Sequence, residues 1–182
     1  MEEDGRRYIK MELKLVHCND EVLRTKTPNF DFSDPPVDPR ELAAALTKKM
    51  MEENGLGLAA NQVGLPYRVF IMAANPPLAI FNPRIVDTST EQVMLEEGCL
   101  SYPNLFIKIK RPKIIKVRFN DMDGVVHTEK FTGMTARIFQ HELDHLDGLD
   151  YTKRAHNIHY QRAMNKKKLY DRALKNKELA NV

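Results

Sequence analysis

The run His141-Glu142-Leu143-Asp144-His145 sets the strongest limit on how this chain can fold. Histidines four positions apart on a helix lie one above the other on a single face, so both imidazoles can reach one metal ion. Glu142 stands one residue round that helix, near the metal without being needed as a ligand. There a carboxylate can take a proton from water whose pKa coordination lowers from about 15.7 to near 7. The flanking Ile138, Phe139 and Leu146 are apolar and imply a helix enclosed on most sides, where polar groups need partners. A surface helix with two solvated histidines is the plain alternative, and those flanks argue against it.

A catalytic metal commonly has three protein ligands and one open position. One protease class takes the third from H-E-x-x-H-x-x-G-x-x-H; this chain follows that pattern through Gly148 and then has Tyr151 where the last His would stand. Another class uses a downstream Glu, but after Glu142 only Glu178 remains, at the end of a basic tail. The better candidate is upstream, Cys99 in Glu96-Glu97-Gly98-Cys99-Leu100-Ser101, because a thiolate between glycine and apolar residues suits a soft-to-borderline divalent metal. Cys18 has no motif around it and reads as a structural or exposed thiol. With two cysteines no disulfide framework can form, which points to a reducing compartment.

A third segment, Gly55-Leu56-Gly57-Leu58-Ala59-Ala60-Asn61-Gln62, superficially has the look of a phosphate-binding glycine loop. It lacks the third glycine and follows a helix rather than a strand, which disfavours that reading. Small residues instead let backbone approach a ligand closely, and Gln62 is a neutral amide donor able to polarise a carbonyl oxygen.

The remaining pattern predicts an α+β domain: mostly antiparallel sheets packed around a central helix carrying H-E-x-x-H, with a C-terminal helix. Met11–Val16 alternates like a short strand, and Pro28–Pro39, with four prolines, reads as an irregular loop. Asp38 caps a helix with Pro39 first and Glu41 three residues after the cap; Leu42, Leu46 and Met50 form its buried face, and Asn54-Gly55 ends it. Strands are expected at Arg68–Met72, Ala79–Val86, Lys113–Phe119 and Val125–Phe131, the last two joined as a hairpin by Asp121-Met122-Asp123-Gly124. Thr132 would cap a helix over Gly133–Asp147 closed by Gly148. A last helix over about Asn157–Leu179 carries a weak apolar stripe of Ile158, Leu169, Ala173 and Leu174.

At 182 residues, 42% apolar and 29% charged, the chain fits one soluble domain. No run approaches the ~18–20 uninterrupted apolar residues of a bilayer helix. The first ten residues hold six charges and no apolar core, against a secretory signal. The net charge of +3 divides unevenly: residues 153–182 hold nine Lys/Arg and two acids, +7, leaving −4 on residues 1–152. A basic tail on an acidic body suits a polyanionic partner, although a charge run is commonly a solvated face. Residues 1–152 are read as the catalytic domain and 153–182 as a basic helical extension of it.

Together the three segments make the chain resemble the peptide deformylases. The family's motifs stand here as Gly55-Leu56-Gly57-Leu58-Ala59-Ala60-Asn61-Gln62, Glu97-Gly98-Cys99-Leu100-Ser101 and Gln140-His141-Glu142-Leu143-Asp144-His145, within a likeness spanning about Met11 to Thr152. Ala136-Arg137-Ile138-Phe139 and Ser101-Tyr102-Pro103 look like the plant-organelle and phage branch. The resemblance implies hydrolysis of the N-formyl group from formyl-methionyl nascent peptides, with release of formate. It implies one divalent metal held by Cys99, His141 and His145, typically Fe(II), with nickel, cobalt or zinc also accepted. Glu142 would be the general base, and the Gln62 amide and the Leu100 N–H would stabilise the oxyanion.

By the same likeness Met134 and Ile138 would line the methionine pocket with Glu97 at its rim. Backbone of Leu56, Gly57 and Gly98 would pair with the substrate as an added strand. The tail does not match the basic helix with which enteric members dock on the ribosome, so a ribosomal RNA contact by residues 153–182 rests on charge alone; neither DNA nor membrane is expected as partner, and the enzyme would work in a cytoplasm or an organelle stroma or matrix. Two competing readings are a zinc peptidase acting on internal peptide bonds and a catalytically silent ribosome-binding homologue.

Overall fold

The computed structural model describes residues 12–180. The charged start that argues against a secretory signal, and Met11 of the first expected strand, lie outside those residues. Residues 12–16 form no strand; Val16 N–H instead donates to the Gln62 carbonyl at 2.9 Å, so this segment is tied to the glycine-loop region without joining a sheet.

Helix α1 (Pro39–Glu52) begins as its sequence dictates: the Asp38 carboxylate accepts from Arg40 N–H at 2.8 Å and Glu41 N–H at 3.2 Å. Leu42, Leu46 and Met50 are buried, and Asn54 takes the left-handed conformation that ends the helix. Five antiparallel strands follow in the order β1 (Gly57–Ala59), β2 (Val69–Met72), β3 (Leu78–Thr88), β6 (Ile114–Asn120) and β7 (Val126–Thr132). β2 is buried on both sides: Val69 and Ile71 pack with α1, while Phe70 and Met72 pack with α2 (Gly133–Leu146). That two-sided burial is why β2 reads as an unbroken apolar run. β6 alternates instead, with Ile115, Val117 and Phe119 turned to α2 and Lys116 and Arg118 to solvent.

α2 is the central helix, almost wholly enclosed from Ala136 to Leu146. Thr132 occupies its N-cap position with extended backbone, but the threonine side chain makes no capping hydrogen bond, contrary to expectation. Gly148, at φ +69°, closes the other end. The pattern reading missed β1 and a separate two-stranded sheet, β4 (Gln92–Cys99) paired with β5 (Tyr102–Pro112). The period-two signal was present in Leu105, Ile107 and Ile109 inward against Phe106, Lys108 and Lys110 outward. Pro103, Asn104 and Pro112 punctuate it.

The last helix, α3 (Asn157–Ala180), packs on β5 through Ala163, Tyr160 and Met164. The expected stripe is therefore wrong: Ile158, Leu169, Ala173 and Leu174 are exposed, because the face turned to the sheet carries Tyr160, Ala163 and Met164 instead. No helix among the described residues is long and apolar enough to cross a membrane.

Candidate metal centre

α2 delivers His141 and His145 to one face, with ring centroids 5.1 Å apart, and the end of β4 brings Cys99 against them. The Cys99 Sγ lies 3.1 Å from His145 Nε2, and one ligand atom from each of the three residues falls within 4.8 Å of the others. One sulfur and two imidazole nitrogens at this spacing fit a borderline divalent metal. Tyr151 takes no part: its hydroxyl donates to the Leu105 carbonyl at 2.8 Å, and its buried ring packs beside His141.

The surroundings of His141 favour positive charge. Burial opposes it, but the partners Cys99 and Glu97 raise the imidazole to about 10. His145 goes the other way, held neutral first by burial and then by the charges of His141 and Arg111. The His141 Nδ1 lies 2.9 Å from Glu97 Oε2 and donates its proton there, so that a metal taking the place of the Nε2 proton would be held by Nε2.

Glu97 was expected at the rim of the methionine pocket, and it lines the cleft together with Met134 and Ile138. Its carboxylate is buried and takes the paired donors of Arg111 at 2.7 and 2.8 Å and Arg137 Nη1 at 2.7 Å, in addition to His141. Burial disfavours its charge, yet the hydrogen bonds from Arg111 and His141 hold the carboxyl far below the usual range. Arg111 also donates to Asp144 at 2.6 Å, and Arg154 clamps the same carboxylate. Sequence reasoning assigned no role to Arg111, Arg137, Asp144 or Arg154. Their signal was the acidic Asp144 inside a helix read as enclosed, since a buried carboxylate demands a cation.

Glu142 points into the same space. It is almost wholly buried and its Oε2 has no partner among the described residues, an orphaned polar atom facing a ligand cleft. Burial pushes its carboxyl up to about 7 against the opposing pull of His141. The Gln62 side chain is oriented by its own Oε1, which accepts from Ala59 N–H at 2.9 Å; its Nε2 therefore faces the centre, 3.1 Å from Ser101 Oγ and 3.5 Å from Cys99 Sγ. Asn61, one residue earlier, donates to the His145 carbonyl at 2.5 Å and ties this 3₁₀ turn to α2.

A cleft of about 670 Å³ opens onto these groups. Leu56, Gly57, Glu97, Gly98, Leu100, Met134 and Ile138 all line it, so every expected substrate-binding position borders one space. Leu56 and Met134 are exposed at its mouth and Ile138 is half-buried. Strand β1 is one edge of the five-stranded sheet, with β7 the other, and β4 belongs to the small sheet across the cleft. The glycines are needed for space: a Cβ on Gly57 would sit 2.4 Å from the Glu142 carboxylate, and one on Gly98 2.6 Å from the Phe106 ring.

Residues 12–161 match the family model described as polypeptide deformylase. A peptide deformylase of Synechocystis sp. is 37% identical over 151 residues, covering 80% of each chain. One of Wolbachia pipientis is 38% identical over 168 residues, covering 85% of this chain and 93% of the relative. Among solved structures, a Synechococcus elongatus peptide deformylase in complex with actinonin superposes with a TM-score of 0.79 at 31% identity, covering 85% and 87% of the two chains. A plant peptide deformylase gives 0.80 at 28% identity, covering 93% and 95%.

Proposed function

The chain belongs to the peptide deformylase family, and from that premise we propose that Cys99, His141 and His145 hold one divalent metal while Glu142, Gln62 and Leu100 carry the reaction. Its activity is removal of the N-formyl group from nascent peptides, with release of formate. The observation that supports the residue roles is the orphaned Glu142 Oε2 beside a one-sulfur, two-nitrogen donor set, with Glu142, Cys99 and His141 lining a single cleft. A metal bound there supplies a Lewis acid and makes hydroxide available near neutral pH.

The chain's own groups do the rest. Glu142, held near neutrality by burial, takes the proton of the attacking water and returns one to the departing amine. The Gln62 amide, its orientation set by Ala59, donates to the oxyanion as the formyl carbon becomes tetrahedral, joined by the Leu100 N–H. The substrate backbone adds as a strand beside Gly57 and Gly98, between the β1 edge and β4, so that residues beyond the first are bound without being read. Met134 and Ile138 offer apolar surface to the methionine side chain. One thiolate with two imidazoles accepts several divalent metals, and the likeness to the family points to Fe(II) among them, with nickel, cobalt or zinc as substitutes.

Residues 153–180 form one unit with the catalytic domain through Ala163 on β5, and the exposed cations of α3 contact ribosomal RNA. The substrate assigns the enzyme to a compartment where translation starts with formyl-methionine, a bacterial-type cytoplasm or an organelle stroma or matrix.

The direct test is formate release from formyl-Met-Ala-Ser by protein loaded anaerobically with Fe(II) or with nickel, beside Glu142→Ala. Turnover in the wild type and its loss in the metal-loaded variant is expected. No turnover in a wild type of full metal content would overturn the assignment of roles.

A further inference from the structure

Helix α1 lies over β1, β2 and the start of β3, where Ala79 and Phe81 are buried, and leaves the outward face of β6, β7 and β3 from Arg84 onward exposed. That face is basic. The strand register sets Arg84 directly opposite Arg118, and Lys116 directly opposite Lys130. Like charges facing each other across neighbouring strands destabilise a sheet, and here two such pairs stand side by side. One acid shares the face: Asp87, opposite Lys116, which accepts from the Thr88 N–H.

Arg84 and Arg118 also border a cleft of about 340 Å³, separate from the metal centre, together with Lys26, Arg68 and the amides of Asn29 and Asn120. No carboxylate lines it. Arg68 is already committed, paired with Asp147 at 2.9 Å and donating to the Leu146 and Pro83 carbonyls. Arg118 Nε donates to Thr128 Oγ1 at 3.2 Å, which leaves its two terminal nitrogens to the cleft. Among the described residues, neither Lys26 nor Arg84 has an ion pair or a side-chain hydrogen bond.

We propose that this cleft and the cationic row leading from it bind phosphate groups, one of them set between Arg84 and Arg118. Planar guanidinia match phosphate oxygens two at a time, and a shared dianion turns the repulsion of an opposed arginine pair into attraction. The phosphate belongs either to a small free anion or to an RNA backbone, whose successive charges the Lys116–Lys130 pair would continue to meet.

The test follows the backbone amides of zinc-loaded protein by NMR during titration with inorganic phosphate, and separately with a short single-stranded RNA. Saturable shifts at Thr27, Arg84, Arg118 and Asn120 are expected. They should weaken by about tenfold or more in Arg84→Gln/Arg118→Gln, which removes two charge-assisted partners. Tighter binding of RNA, with a log–log salt slope reduced by about 0.7 for each arginine removed, would identify a nucleic-acid source; a response to phosphate alone would identify a small anion.

Without added anion the double variant, or Arg84→Gln alone, should unfold at a higher temperature than the wild type and release formate at the same rate. A lower midpoint would mean that the arginines are structural and would sink the site. So would shifts that survive the double variant, shifts confined to residues around Cys99, or no saturable shift with either probe.

Discussion

The close approach of β1 to α2 yields a sharp prediction at Gly57. An added Cβ would stand 2.4 Å from Glu142 Oε1 and 2.8 Å from both Cδ and Cγ, where ordinary contact begins at 3.4 Å. The Glu142 carboxylate must therefore retreat by about 1 Å, and because three atoms are crowded the whole side chain has to move. Glu142 is almost wholly buried against packed neighbours, so the retreat is opposed, and overpacking of this kind costs about 1–3 kcal/mol. In a chain of this size that lowers the unfolding midpoint by roughly 2–4 °C per kcal/mol. A displacement of about 1 Å at a reacting group costs on the order of a hundredfold in rate. Metal-loaded Gly57→Ala should thus keep its metal and lose about two orders of magnitude in kcat for formate release. Gly133→Ala is the control: its φ is +60° with nothing within 4 Å of the added carbon, so it loses stability through backbone strain alone and keeps kcat. A folded Gly57→Ala enzyme within about threefold of the wild-type kcat would refute the claim that this glycine fixes the position of the base.

Four further outcomes follow from the site. Glu97→Ala strips the shared acceptor from Arg111, Arg137 and His141; urea unfolding should show a loss of about 3–5 kcal/mol, and chelator competition a metal affinity lower by about 10–100-fold. Gln62→Leu keeps the volume but removes the donor, so kcat should fall by about 10²–10³ with metal content unchanged in elemental analysis. Cys99→Ala should lose stoichiometric metal while Cys18→Ser retains it, and retention in Cys99→Ala would revive a two-histidine peptidase-like centre. Replacing Lys166, Lys168, Arg172 and Lys175 by Gln should abolish salt-sensitive ribosome co-sedimentation and leave peptide deformylation intact. These positions are exposed, whereas deleting residues 153–182 would strip Ala163 from β5 and confuse binding with folding.

What the sequence made legible is what short-range patterns encode. The Asp38 cap, the Leu42–Leu46–Met50 face and the two histidines of α2 each depend on neighbours within about two helical turns. The β4–β5 sheet was not legible because Gly98, Pro103 and Asn104 carry functional or turn roles inside the strands and break the pattern there. The partners of Glu97 were not legible for a related reason: Arg111, Arg137 and His141 lie on β5 and α2, up to 44 residues away, and motif spacing says nothing of them. A lone glutamate in a cleft-lining strand gives no sign of them until the fold brings two arginines to it. Turning its carboxylate outward would leave both guanidinia buried with a principal partner gone, at a cost of about 3–5 kcal/mol. The burial of Arg111 and Arg137 therefore holds that carboxylate against His141 Nδ1, while the residue still lines the cleft beside Met134 and Ile138.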